Sequence, residues 1–346
     1  MCFKHKKKDN GGISMKIAII GCGTMGMIYA HNLGKMPGVQ VSGVVDLIQE
    51  SADQAAAVSG AASYTDWEEM LEKEQPETVA VCLPTYLHKT FVLNLAQRGL
   101  HVICEKPAAL TLEDAIEMEA ACSKQGVRLF IGHVVRFFPN YRNAFDQVRS
   151  GKIGEAKMAQ FKRYGSYPQG VDLWYHDRAK SGGVIMDLMI HDIDFACWIF
   201  GDVESVYASV TKPSLSGMEY AQVTLKFSSG DIANLTGFWG YPGPFTTQFE
   251  ISGNEGIIRF DSNQVQSLDL KVLSGVNGQI DAVQVPTSPT LHDPYYDEVK
   301  HFIECIREGN EPIVSVADAC RAVEIALACN RSAQIGLPVC MGGISS

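Results

Sequence analysis

The chain has 346 residues, 46% hydrophobic and 20% charged, a balance that excludes wholesale disorder and gives length for two domains. Its 29 Lys and Arg against 39 Asp and Glu leave a formal charge of −10. Such a surface repels phosphate backbones and anionic lipid, so nucleic acid and membrane are not expected as partners.

Residues 1–14, MCFKHKKKDNGGIS, form a basic segment without the apolar run of a signal peptide. A disordered tail is expected there, with Met15 as the natural start. The longest apolar stretch, FACWIF at 195–200, has about six residues, far short of the ~18 that mark a membrane span. None of the ten cysteines forms a C-x-x-C pair, and most sit in apolar runs such as VAVCL and HVICE. They read as small buried hydrophobes of a reducing compartment, which places the protein in the cytoplasm.

From residue 15 onward, short apolar runs alternate with helical patterns. KIAII, QVSGVV, TVAVCL, LHVICE and VRLFIG are expected strands. Between them, MGMIYAHNLGK, IQESADQAAAVSG, YLHKTFVLNLAQRG and LEDAIEMEAACSKQG are expected helices, several ended by Gly. Near-continuous apolar strands separated by helices imply a doubly wound parallel sheet. The pattern changes after about residue 150. In AQVTLKF, Ala221, Val223, Leu225 and Phe227 point one way and Gln222, Thr224 and Lys226 the other. DIANLTGFW follows a Ser-Ser-Gly turn, IIRF adds a further strand, and strand character is expected to about residue 285. Two closing helices are expected over 293–309 and 316–336, the second opened by a Ser315–Asp318 capping box. The expected fold is α/β: a Rossmann domain at 15–135, then an α/β domain with a mostly antiparallel sheet at 136–346. The helix within 311–335 is a candidate to pack back on the first domain.

KIAII runs into Gly21-Cys22-Gly23-Thr24-Met25-Gly26, a G-x-G-x-x-G between strand and helix. Gly21 permits the tight turn, Gly23 lets backbone approach a pyrophosphate, and Gly26 lets helix pack on strand. Orphan N–H groups at the helix start, aided by the dipole, bind the phosphates. The second strand ends at Asp46, near the spacing at which an acidic residue meets a ribose hydroxyl. Asp46 would repel a 2′-phosphate, so NAD is expected rather than NADP. A helix-capping Asp is the plain alternative.

LHVICE ends in Glu105-Lys106-Pro107, at the carboxyl end of a strand where ligands of open parallel sheets bind. Lys106 is expected at the nicotinamide end of the crevice, its direction fixed by Pro107. Further on, SGGVIMDLMIHDIDFACWIFG carries Asp187, His191 and Asp194 at spacings that put all three on one side of one apolar helix. A His between carboxylates can be held in one tautomer and accept a proton near neutral pH. A structural Asp–His–Asp network and a metal site with His176 as third ligand are alternatives; no metal is expected. Trp174, Tyr175, His176 and Arg136 could line a sugar site, or the aromatics could be core. Tyr295, opening the first closing helix, is a weaker candidate.

GCGTMG, Asp46, CLPTYLH at 82–88, EKP at 105–107, GHVVRFFPNY at 132–141 and SGGVIMDLMIHDID at 181–194 together resemble the glucose-fructose oxidoreductase / inositol dehydrogenase / rhizopine-catabolism family. The resemblance implies an active site between the two domains and a catalytic trio of Lys106, Asp187 and His191. It implies that Pro84, Thr85 and His88 border the cofactor, with Thr24, Met25 and Glu105, and that Arg136 reaches the substrate region. The family glycine two residues after the Asp is Met189 here. The expected activity is NAD-dependent oxidation of a secondary hydroxyl of a polyol, sugar or sugar derivative, in a homo-oligomer, dimer or tetramer. A nucleotide-sugar dehydrogenase, using Arg136, Lys162, Arg163 or Arg178 for phosphates, and a non-catalytic NAD- and sugar-sensing regulator are the alternatives.

Overall fold

Apolar strands that alternate with helices leave a parallel sheet as the arrangement that buries both faces. The computed structural model describes residues 14–211, 218–264 and 293–342. Most of the basic tail, and the strand character expected over 265–285, lie outside these residues.

The first sheet holds six parallel strands: β1 (Met15–Ile20), β2 (Val39–Val45), β3 (Ala62–Tyr64), β4 (Thr78–Val81), β5 (His101–Glu105) and β6 (Leu129–Gly132). Their spatial order is β3-β2-β1-β4-β5-β6, so the order reverses beside β1, where a crevice opens at the strands' carboxyl ends. Helices α1 (Thr24–Gly34), α2 (Gln49–Ser59), α3 (Trp67–Glu74), α4 (Thr85–Gln97) and α5 (Leu112–Lys124) make the crossovers. The sequence reading missed β3 and α3. The strand has only three residues and pairs only β2. The helix is eight residues long, capped by the Asp66 side chain on the Glu68 and Glu69 N–H groups.

A single 3₁₀ turn at Val134–Phe137 leads into α6 (Pro139–Arg149), β7 (Ala156–Gly165), a second 3₁₀ segment at Val171–His176 and α7 (Arg178–Ser181). Then come α8 (Gly183–Asp187), α9 (Ile190–Phe200), β8 (Val203–Val210), β9 (Glu219–Phe227), β10 (Ile232–Trp239), β11 (Thr246–Gly253) and β12 (Ile257–Asp261). Helices α10 (Pro294–Glu308) and α11 (Val316–Ile335) and strand β13 (Val339–Cys340) end the described chain. The second sheet runs β12-β11-β7-β10-β9-β8-β13 and is antiparallel at every pairing but β10 with β7. Ala221, Val223, Leu225 and Phe227 are buried against α8, α9 and α11, as the alternation requires. The turn between β9 and β10 makes the expected hairpin. Ser315 and Asp318 form the capping box of α11, each side chain bonded to the other's backbone.

Helix α11 contacts both units: β8, α8 and α9 on one side, α5 and β6 on the other. Helix α10 goes further. Its Val299, Phe302 and Ile303 are buried with Ile17, Ile19 and Phe130 of the first sheet, and the rings of Phe130 and Phe302 stack at 4.9 Å. Asp293 caps α10 and also accepts from Asn32 Nδ2 on α1 at 2.9 Å. Among the described residues, no helix is long and apolar enough to cross a membrane.

Candidate active site

The carboxyl edge of the first sheet faces the inner side of the second unit across a cavity of about 590 Å³. One end is formed by the glycine loop. Gly21 has φ +91°, and a Cβ there would lie 2.5 Å from the Cys82 carbonyl oxygen. A Cβ at Gly26 would lie 1.9 Å from the Gly21 carbonyl, so helix and turn close only on glycine. Gly23 is different: nothing lies within 4 Å of the space its Cβ would take. That gap opens over the start of α1, where Gly23 is the N-cap with no side-chain cap bond and the first turn holds no acidic residue. Bare backbone donors with open space in front fit a pyrophosphate. Asp46 stands beside them. Its Oδ2 accepts from Cys22 N at 2.8 Å and its Oδ1 from Ile48 N at 2.9 Å, which aims the carboxylate and leaves lone pairs for a ribose hydroxyl. Pro84 and Thr85, at the start of α4, line the same wall.

At the other end, β5 delivers Glu105 and Lys106, and the Lys106–Pro107 peptide is cis. Lys106 Nζ donates to the Asp187 backbone oxygen at 2.8 Å and to Asp187 Oδ1 at 3.1 Å. His191 lines the same cavity, and its Nδ1 is enclosed with no hydrogen-bond partner among the described residues. Burial, followed by the positive charges of Lys106 and Arg163, holds the His191 imidazole well below its usual pKa. The ring is therefore neutral at neutral pH and has a lone pair to accept a proton. Trp174, Tyr175 and Tyr295 also line this end, with Trp174 and Tyr175 stacked at 3.8 Å.

Five expectations fail here. The Asp–His segment is not one helix: α8 stops at Asp187 and α9 starts at Ile190. A continuous helix would give the Asp187 carbonyl to the His191 N–H, but Lys106 takes that carbonyl instead. His191 does not sit between carboxylates. Asp194 turns away to Arg136, with Arg136 Nε–Oδ2 2.9 Å and Nη2–Oδ1 2.5 Å, and Asp192 pairs with Arg163. Arg136 therefore does not reach the cavity. It is buried between Asp194, Asp318 at 3.3 Å and the Ile313 carbonyl, tying the chain after β6 to α9 and to the start of α11. His176 is exposed outside the cavity lining, stacked on Tyr167 at 4.5 Å. His88 also points elsewhere. Its Nδ1 is 2.9 Å from the Pro107 carbonyl and its Nε2 2.8 Å from that of Leu83, so it braces the loop behind Lys106 instead of lining the cavity.

Sequence reasoning missed Tyr86, Trp239 and Phe245 in the lining. Trp239 packs edge-on to Tyr175 at 5.8 Å. Its signal was available: an aromatic ending a strand of the second sheet, where the alternation turns the side chain inward.

The model of an oxidoreductase family with an NAD-binding Rossmann fold matches residues 15–133. The model of that family's C-terminal alpha/beta domain matches residues 146–341. The chain belongs to this family, the glucose-fructose oxidoreductase / inositol dehydrogenase / rhizopine-catabolism oxidoreductases. It is similar to scyllo-inositol 2-dehydrogenase (NAD(+)) of Bacillus subtilis, 28% identical over 336 residues that cover 94% of this chain and 96% of that protein. It is also 29% identical to myo-inositol 2-dehydrogenase of Thermotoga maritima, over 92% of this chain and 96% of the relative. A solved structure of a probable dehydrogenase from Thermotoga maritima superposes with a TM-score of 0.80 at 26% identity, covering 96% and 100% of the two chains. The chain is thus an oxidoreductase with a dinucleotide-binding first domain.

Proposed function

We propose that this oxidoreductase uses NAD to oxidise a secondary hydroxyl of an uncharged polyol, sugar or sugar derivative. The observation that carries the reading is the Lys106 ammonium fixed on both the backbone and the carboxylate of Asp187, with His191 on the same wall. NAD, when bound, supplies a ring that accepts hydride. The protein's own groups do the rest. His191 takes the hydroxyl proton. Lys106 donates to the same oxygen, positions it and stabilises its developing negative charge. Asp187 holds Lys106 in place. The start of α1 binds the phosphates. Asp46 accepts from the ribose and disfavours a 2′-phosphate, so NAD is preferred to NADP.

The charge of the lining supports an uncharged substrate. Lys106 is the sole Lys or Arg in it among the described residues, and it is paired. Arg136 is taken by Asp194, Arg163 by Asp192 and Arg178 by Glu219, and Lys162 lies outside the lining. A nucleotide sugar would bring phosphates to a wall without free cations among the described residues. Trp174, Tyr175 and Trp239 offer flat apolar faces for the C–H side of a sugar ring. A sensor would have no chemical need of Lys106, Asp187 and His191 together.

We further read the outer face of the second sheet, where Tyr207, Ile232 and Ile257 are exposed, as a contact for a second copy, giving a dimer or tetramer. Free cysteines, buried in seven of the nine described cases, fit a reducing cytoplasm.

The test is a panel of inositols, aldoses and UDP-sugars with NAD⁺ or NADP⁺, followed by NAD(P)H absorbance. Reduction of NAD⁺ by an inositol or aldose is expected. Turnover confined to UDP-sugars moves the enzyme to nucleotide sugars. Tight NAD binding with no turnover on any member leaves the sensor.

A further inference from the structure

Beneath the Lys106 end of the cavity, among the described residues, both carboxyl oxygens of Glu298 are buried without a hydrogen-bond partner, while the Tyr29 hydroxyl and Glu105 have only each other as side-chain partners. The residues come from α1, the end of β5 and α10, and are buried to the extent of 1%, 6% and 0% exposure. The Tyr29 hydroxyl and Glu105 Oε1 both border Gly132, each 3.2 Å from where its Cβ would be. Glu298 on α10 lies within electrostatic reach of Glu105, Tyr29 and Tyr295. No cation is among these neighbours of Glu298. Glu105 has more company: a hydrogen bond with Tyr29, the charges of Lys106, Asp187 and Glu298, and the titratable Cys82, Cys104, Tyr175 and Tyr295 within electrostatic reach. Its Oε2 accepts from Lys106 N at 3.2 Å.

Buried polar atoms clustered without partners are the setting in which an enclosed water is held. Two carboxyl groups in one dry site cannot both ionise readily. We propose that Glu298 stays protonated at neutral pH and, through a water held with the Tyr29 hydroxyl, donates to Glu105, so that it is a positioning residue setting the charge of Glu105 at the nicotinamide end of the cavity. The inference rests on the reading of the cavity as a dinucleotide site. Among the described residues no cation is paired with Glu298, and burial and the nearby Glu105 both favour its neutral form. Burial also raises Glu105, to about 7, with Lys106 opposing. Glu105 is then the member that titrates. The oxidised nicotinamide ring is cationic and the reduced ring is not. An ionised Glu105 therefore favours NAD⁺ over NADH, and a neutral one does not discriminate.

Two measurements on the full-length protein test this. The first is the infrared spectrum at pH 8, above the Glu105 titration. A protonated-carboxyl C=O band is expected in the native protein and should vanish in Glu298→Gln. A native spectrum without the band, or a band unchanged in Glu298→Gln, overturns the proposal. The second is the ratio of NADH to NAD⁺ dissociation constants by calorimetry across pH. It should rise with pH through one inflection. Glu298→Gln, whose amide can still donate, should keep that inflection. Glu298→Met and Tyr29→Phe each remove a donor and should move it upward, by about tenfold in proton affinity, or one pH unit. An inflection unmoved in Glu298→Met overturns the proposal, because Tyr29→Phe also removes the direct Tyr29–Glu105 contact and moves the inflection by itself; if Glu298→Met does not fold, the infrared band decides. Failure to bind either dinucleotide would instead end the cofactor reading, while the infrared band would still report on Glu298.

Discussion

Met189 fills the space that Gly237 leaves open. A Cβ on Gly237 of β10 would lie 2.4 Å from Met189 Cγ and 2.5 Å from its Sδ. Met189 is fully buried in the joint between α8 and α9, the position at which the family pattern has glycine. Gly237→Ala should overpack the joint and cost about 1–3 kcal/mol in chemical denaturation. Met189→Ala in the same chain should recover much of that loss. If the double variant is as unstable as the two single losses added, the residues are not a packing pair.

His191→Ala should lower turnover by ~10²–10⁴-fold, the usual loss of a general base, with NAD affinity nearly unchanged. Retention of full turnover would remove His191 from the chemistry.

The pH profile carries a sign. Burial and the cations at Lys106 and Arg163 disfavour protonation of His191, so its base form survives to lower pH than that of an ordinary histidine. The acid limb of kcat/KM should therefore fall below the ~6.5 of a free imidazole. A limb at 7 or above would contradict the geometry.

Asp46→Ser should narrow the preference for NAD over NADP by about tenfold or more, because the charge that opposes a 2′-phosphate is gone. The hydroxyl keeps one acceptor for the Cys22 and Ile48 N–H groups, which now share the carboxylate. Ratios of kcat/KM for the two cofactors give the answer, and an unchanged ratio would return Asp46 to the role of a plain cap.

Arg136 and Asp194 are both buried, at 3% and 1% exposure. Asp194→Ala leaves the buried guanidinium with the Ile313 carbonyl and the partly exposed Asp318, and should cost about 3–5 kcal/mol. Replacing both partners with apolar residues of similar size should restore most of it. A loss below about 1 kcal/mol in Asp194→Ala would show that the pair holds nothing together.

What could be read from the sequence was local. KIAII, the glycine loop and Asp46 lie within 31 residues, and each needs only its neighbours to take its conformation. Direction was not legible. The segment at 132–141 identifies Arg136 as a motif residue, but only the fold shows that its guanidinium turns inward to Asp194. His88 is likewise the right residue facing the wrong way. The break between α8 and α9 was hidden for a further reason: the group that takes the Asp187 carbonyl is 81 positions away. Spacing at i, i+4 assumes an undisturbed ladder, and a lysine from another element disturbs it.

Helix α10 supplies Val299, Phe302 and Ile303 to the cluster that covers one face of the first sheet. The nucleotide half thus borrows part of its interior from residues more than 160 positions downstream of Phe130. A fragment ending at residue 133 would expose that sheet face to water and should aggregate or melt early. The intact chain should lose both halves in one calorimetric transition, so damage to α10 would be felt first as loss of dinucleotide affinity.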